Sequence, residues 1–266
     1  MILAAGRGTR LRPLTAGLPK ILVPVCGVPL LDRLRAYLAR HGVEALAMNT
    51  HHLPEAVRAH LAASAAASAA GAGARAGSAR EAPAQAPLPP VCLFHEPALL
   101  GTGGALVNAA AFWGQAELLV WNGDILAQVA PIALLAAQRA APDAPLATLV
   151  VQDRPSDSHL LVDAGGRVCG IDSARRGTRR VLGTPREPLR ALAFNGISLL
   201  GPALRACLPA GGAFDLIEAL LEALAAGACV RAWDAGAAFY GTTGSAAQLA
   251  ALEAARTVAG HTGDNP

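Results

Sequence analysis

The sequence predicts one α/β domain built on a Rossmann-like, mostly parallel mixed sheet with helices on both faces. Short apolar runs of strand length alternate along the chain with stretches of helical periodicity, and such alternation implies crossover connections and parallel strands. Several of the runs end in glycine-rich or acidic turns, at the edge where open α/β sheets bind ligands. The 266 residues suffice for a substantial core. The alternation is continuous, so the chain is treated as a single domain over 1–266.

Ile2-Leu3-Ala4-Ala5 predicts a buried first strand, broken at Gly6-Arg7-Gly8-Thr9-Arg10. Two glycines two apart allow a tight turn whose N–H groups can approach a ligand. Arg10 and Lys20 add positive charge at the same end, which suits a polyphosphate. Neither standard fingerprint is met: Leu11 stands where the Rossmann pattern has its third glycine, and the P-loop Gly-Lys-Ser/Thr is absent. Leu30, Leu31, Leu34 and Leu38 give a helical stripe, with Arg33, Arg35 and Arg40 elsewhere and Gly42 as the stop. Ala45–Asn49 is the next strand. His51 and His52 are adjacent and point apart, a poor arrangement for a metal. A short helix with Pro at its start covers Pro54–Leu61. Residues 62–90 are rich in Ala, Gly, Ser and Pro. Their first half can extend the helix; their second half holds no regular element, and the whole is expected to be a mobile, solvent-exposed insertion.

Val91–Phe94 is a strand leading to Glu96, and Leu100-Gly101-Thr102-Gly103-Gly104 opens a helix running to about Phe112. The three glycines either admit a flat ligand to the backbone or simply belong to a helix start capped by Thr102. Leu118–Trp121 is a buried strand ending at Asn122-Gly123-Asp124. The aspartate there is either an Asx turn or a hard oxygen ligand for Mg²⁺. A helix over Pro131–Ala140 and a strand over Ala147–Gln152 follow. Leu160–Val162 and Arg167–Ile171 form a hairpin through Asp163-Ala164-Gly165-Gly166. Arg175, Arg176, Arg179 and Arg180 are expected in a solvated loop. Asp215 with Glu218, and Ser245 with Gln248, have capping-box spacing. Cys229–Trp233 is expected as the last strand.

Composition narrows the function classes. The chain is 53% hydrophobic but 4% aromatic, so its core is built mainly from Leu, Val, Ile and Ala. A net charge of +3, with no Lys/Arg block, gives no case for nucleic acid. No uninterrupted apolar run has membrane-spanning length. The five cysteines are scattered and odd in number, which disfavours zinc and disulfide frameworks and fits the cytoplasm. The start lacks the basic region of a signal peptide.

Leu3-Ala4-Ala5-Gly6-Arg7-Gly8-Thr9-Arg10-Leu11, with Pro13-Leu14-Thr15 and Pro19-Lys20, closely resembles the signature of the sugar-1-phosphate nucleotidyltransferases. The resemblance implies the nucleotide-diphospho-sugar transferase type of fold. It also implies transfer of a nucleotidyl group from an NTP to a sugar 1-phosphate, with Mg²⁺ as cofactor. Leu3, Ala4, Ala5, Gly6, Gly8, Thr9 and Arg10 then cradle the nucleotide, while Arg10 and Lys20 offset phosphate charge. Glu96 and Gly101, Thr102, Gly103 and Gly104 meet the base, beside Gly123. Asp124 holds the metal, and Asn195 and Gly196 contribute to the sugar pocket. By overall pattern the chain is similar to enzymes using N-acetylmuramate 1-phosphate with UTP, or mannose and heptose 1-phosphates with GTP; the motifs do not choose sugar, base or oligomeric state. Family members usually carry a few residues ahead of the position of Met1.

Two departures stand out. Members carry Trp-x-Asp-x-Gly-Thr where this chain has Phe239-Tyr240-Gly241-Thr242-Thr243-Gly244-Ser245. The second metal-binding aspartate is missing, its place falling on Gly241 or Thr242 according to one gap. A Glu-Lys pair that holds the sugar phosphate in many members is also absent. The alternative function is therefore a nucleotide or nucleotide-sugar binding protein with impaired catalysis. Asp215 and Asp234 are the first candidates for a substitute ligand.

Overall fold

A computed structural model describes residues 1–74 and 88–258. The 62–90 insertion therefore lies partly outside the described residues, and its first part extends a helix. In chain order the elements are β1 (Ile2–Leu3), the ribbon β2 (Pro24–Val25) and β3 (Val28–Pro29), α1 (Leu30–Arg40), β4 (Leu46–Thr50), α2 (Pro54–Ala74) and β5 (Val91–His95). Then come α3 (Gly101–Asn108), α4 (Ala110–Trp113), β6 (Leu118–Asn122), β7 (Ile125–Ala127), α5 (Pro131–Ala140), β8 (Ala147–Gln152), β9 (Ser158–Val162), β10 (Val168–Ser173) and β11 (Thr178–Val181). The rest is β12 (Arg190–Leu200), α6 (Leu204–Cys207), α7 (Leu216–Ala225), β13 (Val230–Asp234), β14 (Tyr240–Thr242) and α8 (Ala246–Val258).

The central sheet has the order β5-β4-β1-β6-β12-β8-β13. Only β12 runs against the others, pairing antiparallel with β6 and β8. Neighbouring residues on one strand face opposite layers: Trp121 and Val150 belong to one apolar core, Val120 and Leu149 to the other. Helix α1 supplies Leu30, Leu31, Leu34 and Leu38 to the first, and α3 and α7 supply Leu106 and Leu220 to the second. Both faces are thus covered, as the alternation predicts. The expected bounds of α5 and β8 hold; Pro131 sits at the first helical position.

Three expectations are corrected. Asn195-Gly196-Ile197, which by resemblance to the family is expected as a loop near the sugar, lies inside β12, where the register slips between Phe194 and Ser198 and Gly196 takes φ 73°. The strand serves three partners, β6, β8 and β9: beyond the slip, Arg190–Leu192 pair with β9 and extend the antiparallel β9-β10-β11 unit. Arg35 is not on an exposed face. It is 6% exposed, because α2 runs past Leu61 and covers it; its Nη1 donates to Ser64 Oγ (3.1 Å) and its Nη2 to Pro89 O (3.1 Å). Nor is Cys229–Trp233 the last strand: β14 follows and pairs antiparallel with β7, Thr242 opposite Ile125. Both strands of that ribbon are too short to show a period.

Arg179 and Arg180 lie on edge strand β11 rather than in a loop. They stay exposed, pairing with Asp172 and Glu218, and Arg176 pairs with Glu218 as well. Asp215 caps α7 through the N–H groups of Ile217 and Glu218. The box is not closed, because Glu218 is turned to the arginines.

The β9–β10 hairpin is tied by buried Asp163. Its carboxylate accepts from the backbone N–H of Gly165 (2.8 Å), Arg167 (2.9 Å) and Arg186 (3.2 Å). Burial pushes its pKa up, but these three donors outweigh burial and hold it below the ordinary range. A depressed carboxylate stabilises the fold above its unfolded value, about 3.9, and that contribution disappears as pH falls through the folded value. Asp163→Ala should therefore cost about 1–3 kcal/mol at pH 7. The difference from wild type, measured by urea unfolding, should shrink below about pH 4; a pH-independent difference contradicts the assignment.

Candidate active site

The parallel strands β1, β4 and β6, and the turn after β5, open at their C-terminal ends onto a cleft of about 300 Å³. Its lining includes Leu3, Ala4, Ala5, Gly6, Lys20, Glu96, Gly101, Thr102, Gly123 and Asp124, all singled out in the sequence. It also includes Asn49 and Asn122, which were not.

The first loop forms because Gly8 takes φ 62°, after which Thr9–Leu11 make a single 3-10 turn. Leu11 N–H (2.9 Å) and Thr15 Oγ1 (2.8 Å) both donate to Gly8 O and close it. Where a Cβ on Gly6 would stand, no atom lies within 4 Å; its backbone fronts open space. Arg10 is exposed at the mouth, its Nη2 close to Gly244. Lys20 Nζ reaches across to Asp124 Oδ2 at 2.5 Å. A cation and a carboxylate thus meet where the loop faces the end of β6.

Behind the loop runs a buried relay. Ala4 N–H donates to Asn49 Oδ1 (2.6 Å), and Asn49 Nδ2 donates to Glu96 Oε1 (2.7 Å). Leu100 N–H donates to Glu96 Oε2 (3.0 Å). Glu96 is 1% exposed, so both its oxygens are committed to the protein. These bonds join the start of α3 to β4 and leave neither oxygen without a partner.

The glycine cluster is reassigned. A Cβ on Gly103 would lie 2.1 Å from Phe214 Cε2, one on Gly101 2.4 Å from Phe214 O, and one on Gly104 2.4 Å from Gly212 O. The space that these glycines leave is filled by the chain's own 212–214 segment. Thr102 does not cap α3; its hydroxyl donates to Asp215 Oδ2 (3.0 Å) and accepts from Leu216 N–H (2.8 Å). Spacing alone does not distinguish a glycine that admits a ligand from one that admits a neighbouring segment.

The β7–β14 ribbon resolves the ambiguity over the missing aspartate. A Cβ on Gly241 would collide with Leu252 Cδ1 at 2.4 Å, so that position faces α8. Thr242 points the other way, its hydroxyl accepting from Gly244 N–H (3.2 Å) beside Arg10. Thr243 N–H donates to Asp124 O (2.9 Å) and fixes the ribbon to the turn after β6. Of the two positions, only Thr242 has room for a side chain clear of α8. Asp215 and Asp234 do not substitute: the first caps α7 and the second pairs with Arg190. Among the described residues no three His, Cys, Asp or Glu side chains converge as metal ligands. His51 Nδ1 is hydrogen-bonded to Glu96 O at 2.8 Å.

Asn195 and Gly196 lie beside the cleft rather than in its lining. Asn195 is buried, donating to Gln152 Oε1 (2.8 Å) and accepting from Arg154 Nε (3.1 Å). Gly196 packs against Asn122, whose Nδ2 lies 2.7 Å from where a Cβ would stand.

The glycine reassignment is testable. Gly103→Val should destabilise the fold by about 1–3 kcal/mol through overpacking, with Phe214→Ala on the same background restoring part of the loss in urea unfolding. A stable single variant with weakened nucleotide binding would return Gly103 to the ligand.

The chain resembles known proteins in sequence and in fold. The family model described as "Nucleotidyl transferase" matches residues 1–166. The N-acetylmuramate alpha-1-phosphate uridylyltransferase of Caulobacter vibrioides is 37% identical over 125 residues, covering 47% of this chain and 44% of that protein. The mannose-1-phosphate guanylyltransferase of Mycobacterium tuberculosis is 31% identical over 126 residues, covering 47% of this chain and 30% of that protein. The matches thus span less than half the length of either curated relative. The crystal structure of HddC from Yersinia pseudotuberculosis complexed with GMP-PN superposes with a TM-score of 0.68 at 18% identity, over 96% of this chain and 97% of that one. Among the described residues no helix is long and apolar enough to cross a membrane. Through the match over residues 1–166, this chain belongs to the nucleotidyl transferase family.

Proposed function

We propose that this protein transfers a nucleotidyl group from a nucleoside triphosphate to a sugar 1-phosphate, releasing pyrophosphate. The observation that carries the proposal is the open backbone of Gly6 facing the Lys20–Asp124 pair. A phosphate oxygen of the acceptor attacks the α-phosphorus in line. The bond from that phosphorus to the oxygen bridging to the β-phosphate breaks, and pyrophosphate leaves with the bonding electrons. The nucleophile is already an anion, so the protein has no proton to remove; it must position two anions and offset their charge. The backbone at Gly6, Gly8 and Thr9 suits the triphosphate oxygens, and Arg10 and Lys20 suit their charge. The curated relatives named above transfer uridylyl and guanylyl groups to sugar 1-phosphates, which supports the class without choosing the base or the sugar. Five free cysteines and soluble, highly charged substrates suit a cytoplasmic setting.

The donor set fits a magnesium ion that arrives with the triphosphate rather than one resident in the protein. Asp124 is a single carboxylate already paired with Lys20, and magnesium is commonly bound by one or two carboxylates together with substrate phosphates and waters. When bound, it would be held by Asp124 together with the substrate and would neutralise part of the phosphate charge. Thr242 offers a neutral hydroxyl where family members carry a carboxylate. That residue favours a second reading, in which the cleft holds a nucleotide or nucleotide-sugar and turns it over slowly or not at all.

Pyrophosphate release across pairs of NTP and sugar 1-phosphate separates the two readings. Turnover is expected to be slow and to need abnormally high magnesium. Thr242→Asp should raise the rate and lower the magnesium requirement, whereas Gly241→Asp should destabilise the fold against Leu252. Brisk wild-type turnover at low magnesium, indifferent to Thr242→Asp, would overturn the metal assignment. Arg10→Ala should weaken triphosphate binding about 10- to 150-fold, the worth of a charge-assisted contact of about 1.5–3 kcal/mol, while nucleoside binding is unchanged. Equal losses for both ligands in calorimetry would remove Arg10 from the phosphate site.

A further inference from the structure

We propose that Arg154 is the cation that receives the phosphate of the sugar 1-phosphate acceptor, on the β8–β12 side of Asp124. The proposal rests on the nucleotidyl-transfer reading above. It follows from the sheet order. Strand β8 runs parallel to β6 with β12 between them, so their C-terminal ends share one edge. Asp124 lies two residues past the end of β6, and Arg154 two residues past the end of β8. Strand spacing puts those ends about 10 Å apart, a distance that an acceptor phosphate next to an α-phosphate can bridge.

Tyr240 ties Arg154 to the ribbon that follows Asp124. The Arg154 guanidinium carbon lies 4.0 Å from its ring centroid, and its strand, β14, pairs with β7 directly after Asp124. Burial raises the Tyr240 pKa, with Arg154 opposing and the Asp124 charge adding; the phenol thus feels both side chains.

The guanidinium is held from behind by neutral groups. Its Nε donates to Asn195 Oδ1 (3.1 Å), its Nη2 to Phe194 O (2.7 Å) and its Nη1 to Pro155 O (3.3 Å). Asn195 is locked in turn by Gln152, whose Nε2 donates to Gly236 O and Ala238 O. These bonds engage three of the five N–H groups and leave one on each terminal nitrogen, the fork that suits a phosphate. No carboxylate of the described residues pairs with Arg154, whereas Arg167, Arg176, Arg180 and Arg231 are each paired with one. A half-buried, stacked and fixed cation without a counter-charge is a site prepared for an anion. The arginines nearest the absent Glu-Lys pair do not replace it, because Arg176 and Arg180 are bound to Glu218.

The competing role is purely structural, Arg154 clamping the β12 bulge, and the test must separate the two. The full chain is first titrated with an α,β-methylene triphosphate analogue, which cannot be attacked, and the saturated protein is then titrated with glucose 1-phosphate and with inorganic phosphate. Arg154→Gln should leave the melting temperature and the analogue affinity near wild type and weaken glucose 1-phosphate by at least about tenfold. Arg154→Lys, which keeps the charge but not the fork, should fall between, and it decides the matter if Arg154→Gln fails to fold. Unchanged phosphomonoester affinity in a folded variant overturns the proposal, as do equal losses for both ligands. Wild type that binds the analogue but no phosphomonoester overturns it while leaving the nucleotide site standing; wild type that binds no analogue removes the nucleotidyl-transfer reading as well.

Discussion

The cleft depends on one buried carboxylate. Glu96 is almost wholly out of water, and a polar group there is tolerable only if its oxygens are hydrogen-bonded. Asn49 and the Leu100 N–H meet that demand, and Asn49 passes the constraint on to Ala4. The ends of β1 and β4, the turn after β5 and the start of α3 are therefore fixed relative to one another by a single connected network. The first loop inherits its position from this frame, and so does the open face of Gly6.

The region beside the cleft is assembled differently. Its parts come from β8, from the bulge in β12 and from the β7–β14 ribbon, far apart in sequence and joined by neutral side chains and backbone groups. Gln152 and Asn195 connect the bulge to the segment after β13. Gly196 brings that same bulge against Asn122, so the two halves meet without a shared charge. The charged pair Lys20–Asp124 lies at the cleft between them.

Much of this was legible in the sequence, for physical reasons that differ by residue. Proline at the first position of α5 and the apolar run of β8 are local signals, and the structure keeps their bounds. Gly6, Lys20 and Asp124 were found because phosphate chemistry restricts residue type near a strand end. Asn49, Tyr240 and Arg154 were not found: each is an ordinary residue whose meaning comes from partners supplied by other elements. Gly101, Gly103 and Gly104 were assigned to the base because a missing Cβ has the same signature whether a ligand or residues 212–214 fill the gap. Arg35 was placed on the wrong face of α1 because the cover provided by α2 is not written in its own heptad.

The pairing of β7 with β14 has a consequence for biosynthesis. The residues lining the cleft all lie between Leu3 and Asp124, so its whole lining is translated before β7. Strand β7 follows at once, but its hydrogen-bonding partner is translated only at Tyr240–Thr242. Throughout that interval the nascent chain carries an unpaired strand edge next to the cleft lining, the kind of edge that invites pairing with other chains. The edge is closed only when β14 is made.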